Sequence, residues 1–203
     1  MASSSRKTGG LQFKLSDSCI LKIYEGDISQ WFINGSSDAI VNPASENLLK
    51  SGPDEDGAIH RAAGPELRNA CREFPRLKHK CRCPVGEAKI TPGFGLPASY
   101  VIHAVGPERR SDADAEALLR RAYMISMSLA KENNIQYVAF PGLCTIKEHF
   151  VRFPFEEAAT IALSTVKEFS NDFKEIHFVL APIHNGPYAT WLKKAKEMFP
   201  LKA

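Results

Sequence analysis

The chain has 203 residues, 44% hydrophobic and 24% charged, which is enough for one domain with a full core and ordinary for a globular protein. Its net charge of +3 and pI of about 8.6 are too mildly basic to argue for nucleic acid, and no apolar run approaches the roughly 18 residues of a membrane span. Five cysteines, an odd number with no secretory signal before them, exclude a disulfide framework and predict reduced thiols in an intracellular compartment, cytoplasmic, nuclear or organellar.

Residues 1–13, opening "MASSSRKTGG", read as a disordered tail, and residues 14–203 as a single domain. "CILKIYEGDI" predicts a strand ending in a loop at Gly26-Asp27. "DAIVNPA" reads as a short buried strand closed by Asn42-Pro43, since proline has no N–H to continue a central ladder. "GAIHRAAGPELRNACREF" has helical spacing at Ile59, Ala62, Ala63, Leu67, Ala70, Cys71 and Phe74. Gly64-Pro65 makes this two short helices or one with a break, and Asp56 is placed to cap its start.

Two further strands are predicted at Glu87 to Thr91 and Tyr100 to Val105, joined by the Gly/Pro-rich "PGFGLP". A long helix follows, with Leu118, Leu119, Ala122, Ile125 and Leu129 as its apolar face and Met124 and Met127 beside it. Then come a strand at Tyr137 to Phe140, a helix after Pro154, a strand at Glu175 to Pro182, and a closing helix with Trp191, Leu192, Ala195 and Phe199 inward. This alternation predicts an α/β fold with a mixed, largely parallel sheet and helices on both faces. Ligands in such sheets bind beyond the carboxyl ends of the strands, where loops lead into helices. The loops at Gly26-Asp27, Asn42 onward, Pro141 to Phe153 and Ala181 to Tyr188 all stand there.

The basic run "RLKHKCRC" reads as a solvated face, with anion binding as the other reading. "CRC" lacks the C-x-x-C spacing and has no second pair, so no metal site and no cofactor are expected.

"EGDISQWFINGSSDAIVNPA", "DGAIHRAAGPEL", "GEAKITPGFGLPASYVIHAVGP" and "VAFPGL", in this order, resemble the macrodomain over nearly the whole chain from about Lys14. The resemblance implies a three-layer α/β/α fold that binds ADP-ribose. It also implies a hydrolase activity on ADP-ribosyl esters or O-acetyl-ADP-ribose. Asp27 then stands where an acid accepts from the adenine amino group, and Ile28 where the backbone meets the ring; the other reading of Asp27 is a turn or cap aspartate. Asn42 matches the first asparagine of the family's N-A-A-N, and Ser45 replaces the second, near the distal ribose; Asn47 is a substitute only if the loop is rebuilt. Asp56 matches the acid that positions or activates water, a role compatible with a helix cap. His60 either faces the ligand or packs.

Both phosphate loops depart from the family. Its glycine run lets backbone N–H groups approach a diphosphate; here the segment is "KSGPDE", with Gly52 alone before Gly57 at the helix mouth. Pro53 removes a donor, Asp54 and Glu55 bring negative charge, and Lys50 offsets part of it. The second loop is "CTIKEHFVRF", without glycine but with Thr145, Lys147, His149 and Arg152 as an anion cradle. Alternatively, Phe150 and Phe153 make it a cover over the cleft. In the last loop His184, Asn185 or Tyr188 would flank the adenosine. The candidate site is therefore Asp56 and Asn42 as catalytic residues, with Asp27, Ile28, Ser45, Gly52, Gly57, Thr145 and Tyr188 binding ligand. Three functions stay open: an ADP-ribose-recognising hydrolase, a binding module without catalysis, and a degenerate fold that binds a protein or another ligand. The expected partner is ADP-ribose or an ADP-ribosylated protein, with no membrane or nucleic acid, and the chain is expected to be a monomer.

Overall fold

The computed structural model describes residues 11–49, 52–108, 114–147, 150–151, 153–183 and 186–201. Nine strands and five α-helices follow one another in these residues. They are β1 Leu11–Lys14, β2 Ile20–Glu25, β3 Asp38–Pro43, α1 Glu55–Ala63, α2 Pro65–Glu73, β4 Ala88–Pro92, β5 Tyr100–Ala104, α3 Ala115–Glu132, β6 Tyr137–Phe140, β7 Ile146–Lys147, β8 Phe150–Val151, α4 Phe155–Glu168, β9 Glu175–Leu180 and α5 Tyr188–Met198. Seven strands form one sheet in the order β1-β2-β9-β6-β3-β5-β4. The five inner strands run parallel and the two edges, β1 and β4, run antiparallel. The domain begins earlier than the sequence suggests: Leu11 to Phe13, assigned above to the tail, pair with β2, and Phe13 is fully buried.

The inner strands read as unbroken apolar runs because both faces of the sheet are covered. Alternate side chains then serve different cores. Ala39 and Val41 of β3, Ile102 and Ala104 of β5, Val138 and Phe140 of β6, and Phe178 and Leu180 of β9 enter the larger core under α3, α4 and α5. Ile40, Val101, Ala139 and Val179 face the smaller core under α1 and α2. By the same period of two, Asn42, His103 and His177 lie on the α1–α2 face, so sheet alternation alone selects the polar side chains that meet there. The helical break falls at Gly64, whose φ of +85 suits glycine, and Pro65 opens α2 with its fixed φ.

Two details correct the sequence reading. The cap of α1 is Asp54, not Asp56: the Asp54 carboxylate accepts the Gly57 N–H at 3.2 Å, and the helix starts at Glu55. On α3 the buried stripe is rotated toward Tyr123 and Met127, with Leu118, Ile125 and Leu129 left at its half-buried edges. Tyr123 packs at a tilt against Phe140 and Phe178, which draws that side of the helix down. No helix among the described residues is long and apolar enough to cross a membrane.

Candidate functional site

The carboxyl ends of the inner strands carry the loops after β2, β3, β6 and β9, the place where sheets of this kind bind ligands. Beneath those loops, near the end of β3, Asn42 stands opposite its register partner His103 on β5. The Asn42 Nδ2 group donates to Asp56 Oδ1 at 2.7 Å and lies 3.1 Å from His103 Nδ1. A carboxylate oxygen can only accept, so the amide nitrogen must face it. His103 Nδ1 is then the acceptor of the second amide proton, which puts the ring proton on Nε2. That N–H is shared by Thr91 Oγ1 at 3.1 Å and Cys71 Sγ at 3.6 Å. Burial pushes His103 down to about 3, with His60 adding to the effect, so it is neutral and the chain of protons is consistent. The Asn42 carbonyl oxygen is left fully buried with no partner.

His60, one turn after Asp56, is buried, with Nε2 3.4 Å from Asp56 Oδ1 but off the line of a hydrogen bond. Burial and then the Arg68 charge hold it below the usual imidazole range. His60 is thus a packed histidine beside the catalytic candidate. Together with Cys71 and His103 it forms a group of metal-ligand side chains. With its proton on Nε2, however, His103 offers no lone pair there.

The helix mouth is occupied by the chain itself. A Cβ on Gly57 would stand 1.7 Å from the Gly52 carbonyl oxygen, so the glycine is required by the loop folding back over it. The Gly57 N–H goes to Asp54 and the Gly52 carbonyl accepts from Arg61 at 2.9 Å. Asp54 therefore holds the Gly57 N–H that the sequence reading assigned to a diphosphate, whereas the contact Gly52 makes here is through its carbonyl. Glu55, half-buried beside them, is pushed up to about 7, first by burial and then by the charges of Asp54 and Asp27.

Asp27 is exposed and its Oδ1 accepts the Ser29 N–H and hydroxyl, so it caps the short 3-10 turn Ile28–Gln30; Ile28 is buried below it. That turn is held by Trp31, whose indole N–H donates to His177 Nδ1 at 2.9 Å. The other ring nitrogen faces Glu175 at 2.8 Å, and Lys22 also binds that carboxylate. These bonds depress Glu175 to about 2. The Ser45 hydroxyl donates to Asn47, and Asn47 Oδ1, on an exposed side chain, also accepts the Leu49 N–H.

Thr145 spends its hydroxyl proton on the Gly142 carbonyl at 2.7 Å. The loop after it folds into the β7–β8 hairpin, and Phe153 is fully buried in the larger core, so Phe153 does not cover the cleft. Tyr188 packs on the larger core and lines a shallow groove along α5 with Leu192 and Lys196; among the described contacts none joins it to Asp27, Asn42 or Asp56. Lys50, His149, Arg152, His184 and Asn185 lie outside the described residues.

His103, Thr91, Cys71, Trp31 and His177 are missing from the sequence-derived site. Polar side chains at buried strand positions were the one available signal for His103 and His177.

Comparisons with known proteins show the family and the fold. The Macro domain family model matches residues 41–162. A macro domain-containing protein of Ralstonia nicotianae is 49% identical over 142 residues, covering 70% of this chain and 77% of that protein. The ADP-ribose glycohydrolase MACROD2 of Mus musculus is 40% identical over 194 residues, 94% of this chain but 38% of that longer protein. The Oceanobacillus iheyensis macrodomain with ADP superposes with a TM-score of 0.80 at 33% identity, covering 94% of this chain and 96% of that one.

Proposed function

From membership of the Macro domain family, to which this chain belongs, we propose that its cleft binds ADP-ribose and hydrolyses an ADP-ribosyl ester held there. The observation that carries this reading is the buried Asn42–Asp56 pair, whose amide oxygen has no partner in the fold. A buried acceptor without a donor costs about 1–3 kcal/mol, and a ribose hydroxyl would supply the donor. Asp27 accepts from the adenine amino group with its second oxygen, and Ile28 packs below the ring.

In the reaction, Asp56 orients a water and takes its proton as the water adds to the ester carbonyl. The tetrahedral intermediate then expels the ribose oxygen, which receives that proton, leaving a free carboxyl group on the protein and ADP-ribose. Asn42 fixes the Asp56 carboxylate through its amide donor, and His103 fixes Asn42.

A second reading, binding without turnover, is favoured by one observation: Ser45 stands where the family has its second asparagine near the distal ribose, and its hydroxyl proton goes to Asn47. The two are separated by release of ADP-ribose from a glutamate-modified protein. Wild type is expected to release it and Asp56→Ala to lose the activity while still binding ADP-ribose in calorimetry. Binding with no release by wild type leaves the binding module; no binding at millimolar ADP-ribose removes both.

A further inference from the structure

Arg68 and Arg82 are the unexplained groups nearest this site. Both have an Nε shut off from solvent with no acceptor, and neither has an ion pair among the described contacts. A guanidinium stays charged at any accessible pH, so a buried N–H without an acceptor is a cost the fold alone does not offset. Their position is defined by the chain around them. Arg68 lies one turn before Cys71 on α2, and Cys71 touches His103, the residue that holds Asn42. The N–H groups of Arg82 and Cys83 both donate to the Glu46 carbonyl, at 2.7 and 3.0 Å, which ties their loop to the turn starting at Ser45. Cys71 and Cys83 share a small buried cluster with Leu48 and Val105, so the two arginines stand on neighbouring segments.

The loop between them extends the charge. Pro75 to Lys80 are all exposed, and His79 and Lys80 have left-handed backbone, φ +54 and +64. Arg76, Lys78, Lys80 and Arg82 stand in a stretch with no acid from Phe74 to Gly86. The acids around this stretch are Glu46, which is hydrogen-bonded to the Cys81 thiol, Glu87, which is paired with Arg121, and Glu66 and Glu73, exposed on α2.

We propose that Arg68 and Arg82, extended by Arg76, Lys78 and Lys80, dock an acidic peptide segment, the carboxylate-rich stretch of the protein whose modified side chain enters the cleft. This names the polypeptide class for the hydrolase reading above and rests on it for its biological occupant. With Nε closed to solvent, the edge left for a planar carboxylate is the Nη1/Nη2 end of each guanidinium, which it matches with two parallel bonds. An oligonucleotide fits less well, because Pro75 to Gly86 hold no Phe, Tyr or Trp on which a base could stack.

The test uses the full chain, nitrogen-15-labelled, titrated with an unmodified peptide of Glu and Asp. Saturable shifts are expected at the amides of Leu77, Cys81 and Cys83, weakening with salt. Arg68→Gln and Arg82→Gln are each expected to weaken binding about tenfold, the loss of one charge-assisted fork, while Lys193→Gln on α5 leaves it unchanged. Should an arginine variant fail to fold, the exposed Lys80→Gln is expected to weaken binding about twofold to threefold. No saturable shift at millimolar peptide, arginine variants that bind like wild type, or tighter binding of an oligonucleotide of equal charge would each overturn the proposal. ADP-ribose titrated into the same samples keeps the two readings apart: peptide binding without ADP-ribose binding sinks only the hydrolase reading.

Discussion

Asn42 and Asp56 meet through side chains, whereas Gly52 and Gly57, only a few residues from them, meet through backbone. At the floor, each polar atom of the chain Thr91–His103–Asn42–Asp56 determines the proton position of the next. Changing one member leaves a buried group unsatisfied, so the arrangement holds itself together. At the helix mouth, the requirement is only that N–H groups be satisfied, and a carboxylate from the same chain satisfies Gly57 as well as a phosphate oxygen would. A rewritten mouth therefore leaves the fold intact, and the two regions can diverge independently.

The largest effect is expected where chemistry and floor coincide. Asp56→Ala should lower ester hydrolysis by about 100-fold or more, with ADP-ribose affinity changed far less, as measured by single-turnover release and calorimetry. Equal turnover would remove Asp56 from its role and with it the sense of the floor as a catalytic device.

Stability separates the regions next. Asn42→Ala leaves His103 and Asp56 without their shared donor and should cost about 1–3 kcal/mol by denaturant unfolding. Gly57→Ala drives a methyl into the Gly52 carbonyl and should cost about 1–3 kcal/mol as well, by overpacking. The variants differ in what survives: Gly57→Ala, refolded around a displaced loop, is expected to retain the Asn42–Asp56 bond and its hydrolysis. Loss of hydrolysis in a folded Gly57→Ala protein would show the regions to be coupled.

A smaller effect comes from pH. Glu55 stands at about 7 in the fold, above the usual carboxylate range, so the folded state binds the extra proton between roughly pH 4.5 and 7. Stability from this group therefore falls as pH rises through that window, and the penalty is complete above it. ADP-ribose binding should weaken over the same rise as the ionised carboxylate meets the diphosphate, and Glu55→Gln should flatten both profiles. Profiles unchanged by Glu55→Gln would remove Glu55 from the mouth's charge.

Much of the architecture was legible because strand and helix periods differ. The apolar runs of β3, β5, β6 and β9 announced strands covered on both faces, and Gly64-Pro65 announced a break that became the α1–α2 junction. The cap was harder: Asp54, Glu55 and Asp56 all qualify by residue type, and only the fold-back of Gly52 decides which carboxylate reaches Gly57. Asn42 and Asp56 were each named through the family resemblance, though not as bonded partners, and His103, Thr91 and Cys71 were not named. They come from three separate elements and meet only through the register that sets Asn42 against His103. Arg68 and Arg82 were hidden for the same reason: as sequence, one is a surface-helix arginine and the other part of a basic run.

The most direct measurement of the central claim, that the mouth is closed by its own carboxylate while the floor is retained, is calorimetric titration of ADP-ribose into wild type and Asp54→Asn. Asparagine keeps an oxygen on the Gly57 N–H but removes the charge, so the helix should survive. Removing about 1 kcal/mol of repulsion predicts roughly fivefold tighter binding of ADP-ribose by the variant, with adenosine, which has no phosphate, unchanged. Equal or weaker ADP-ribose binding by a folded Asp54→Asn protein would contradict the account.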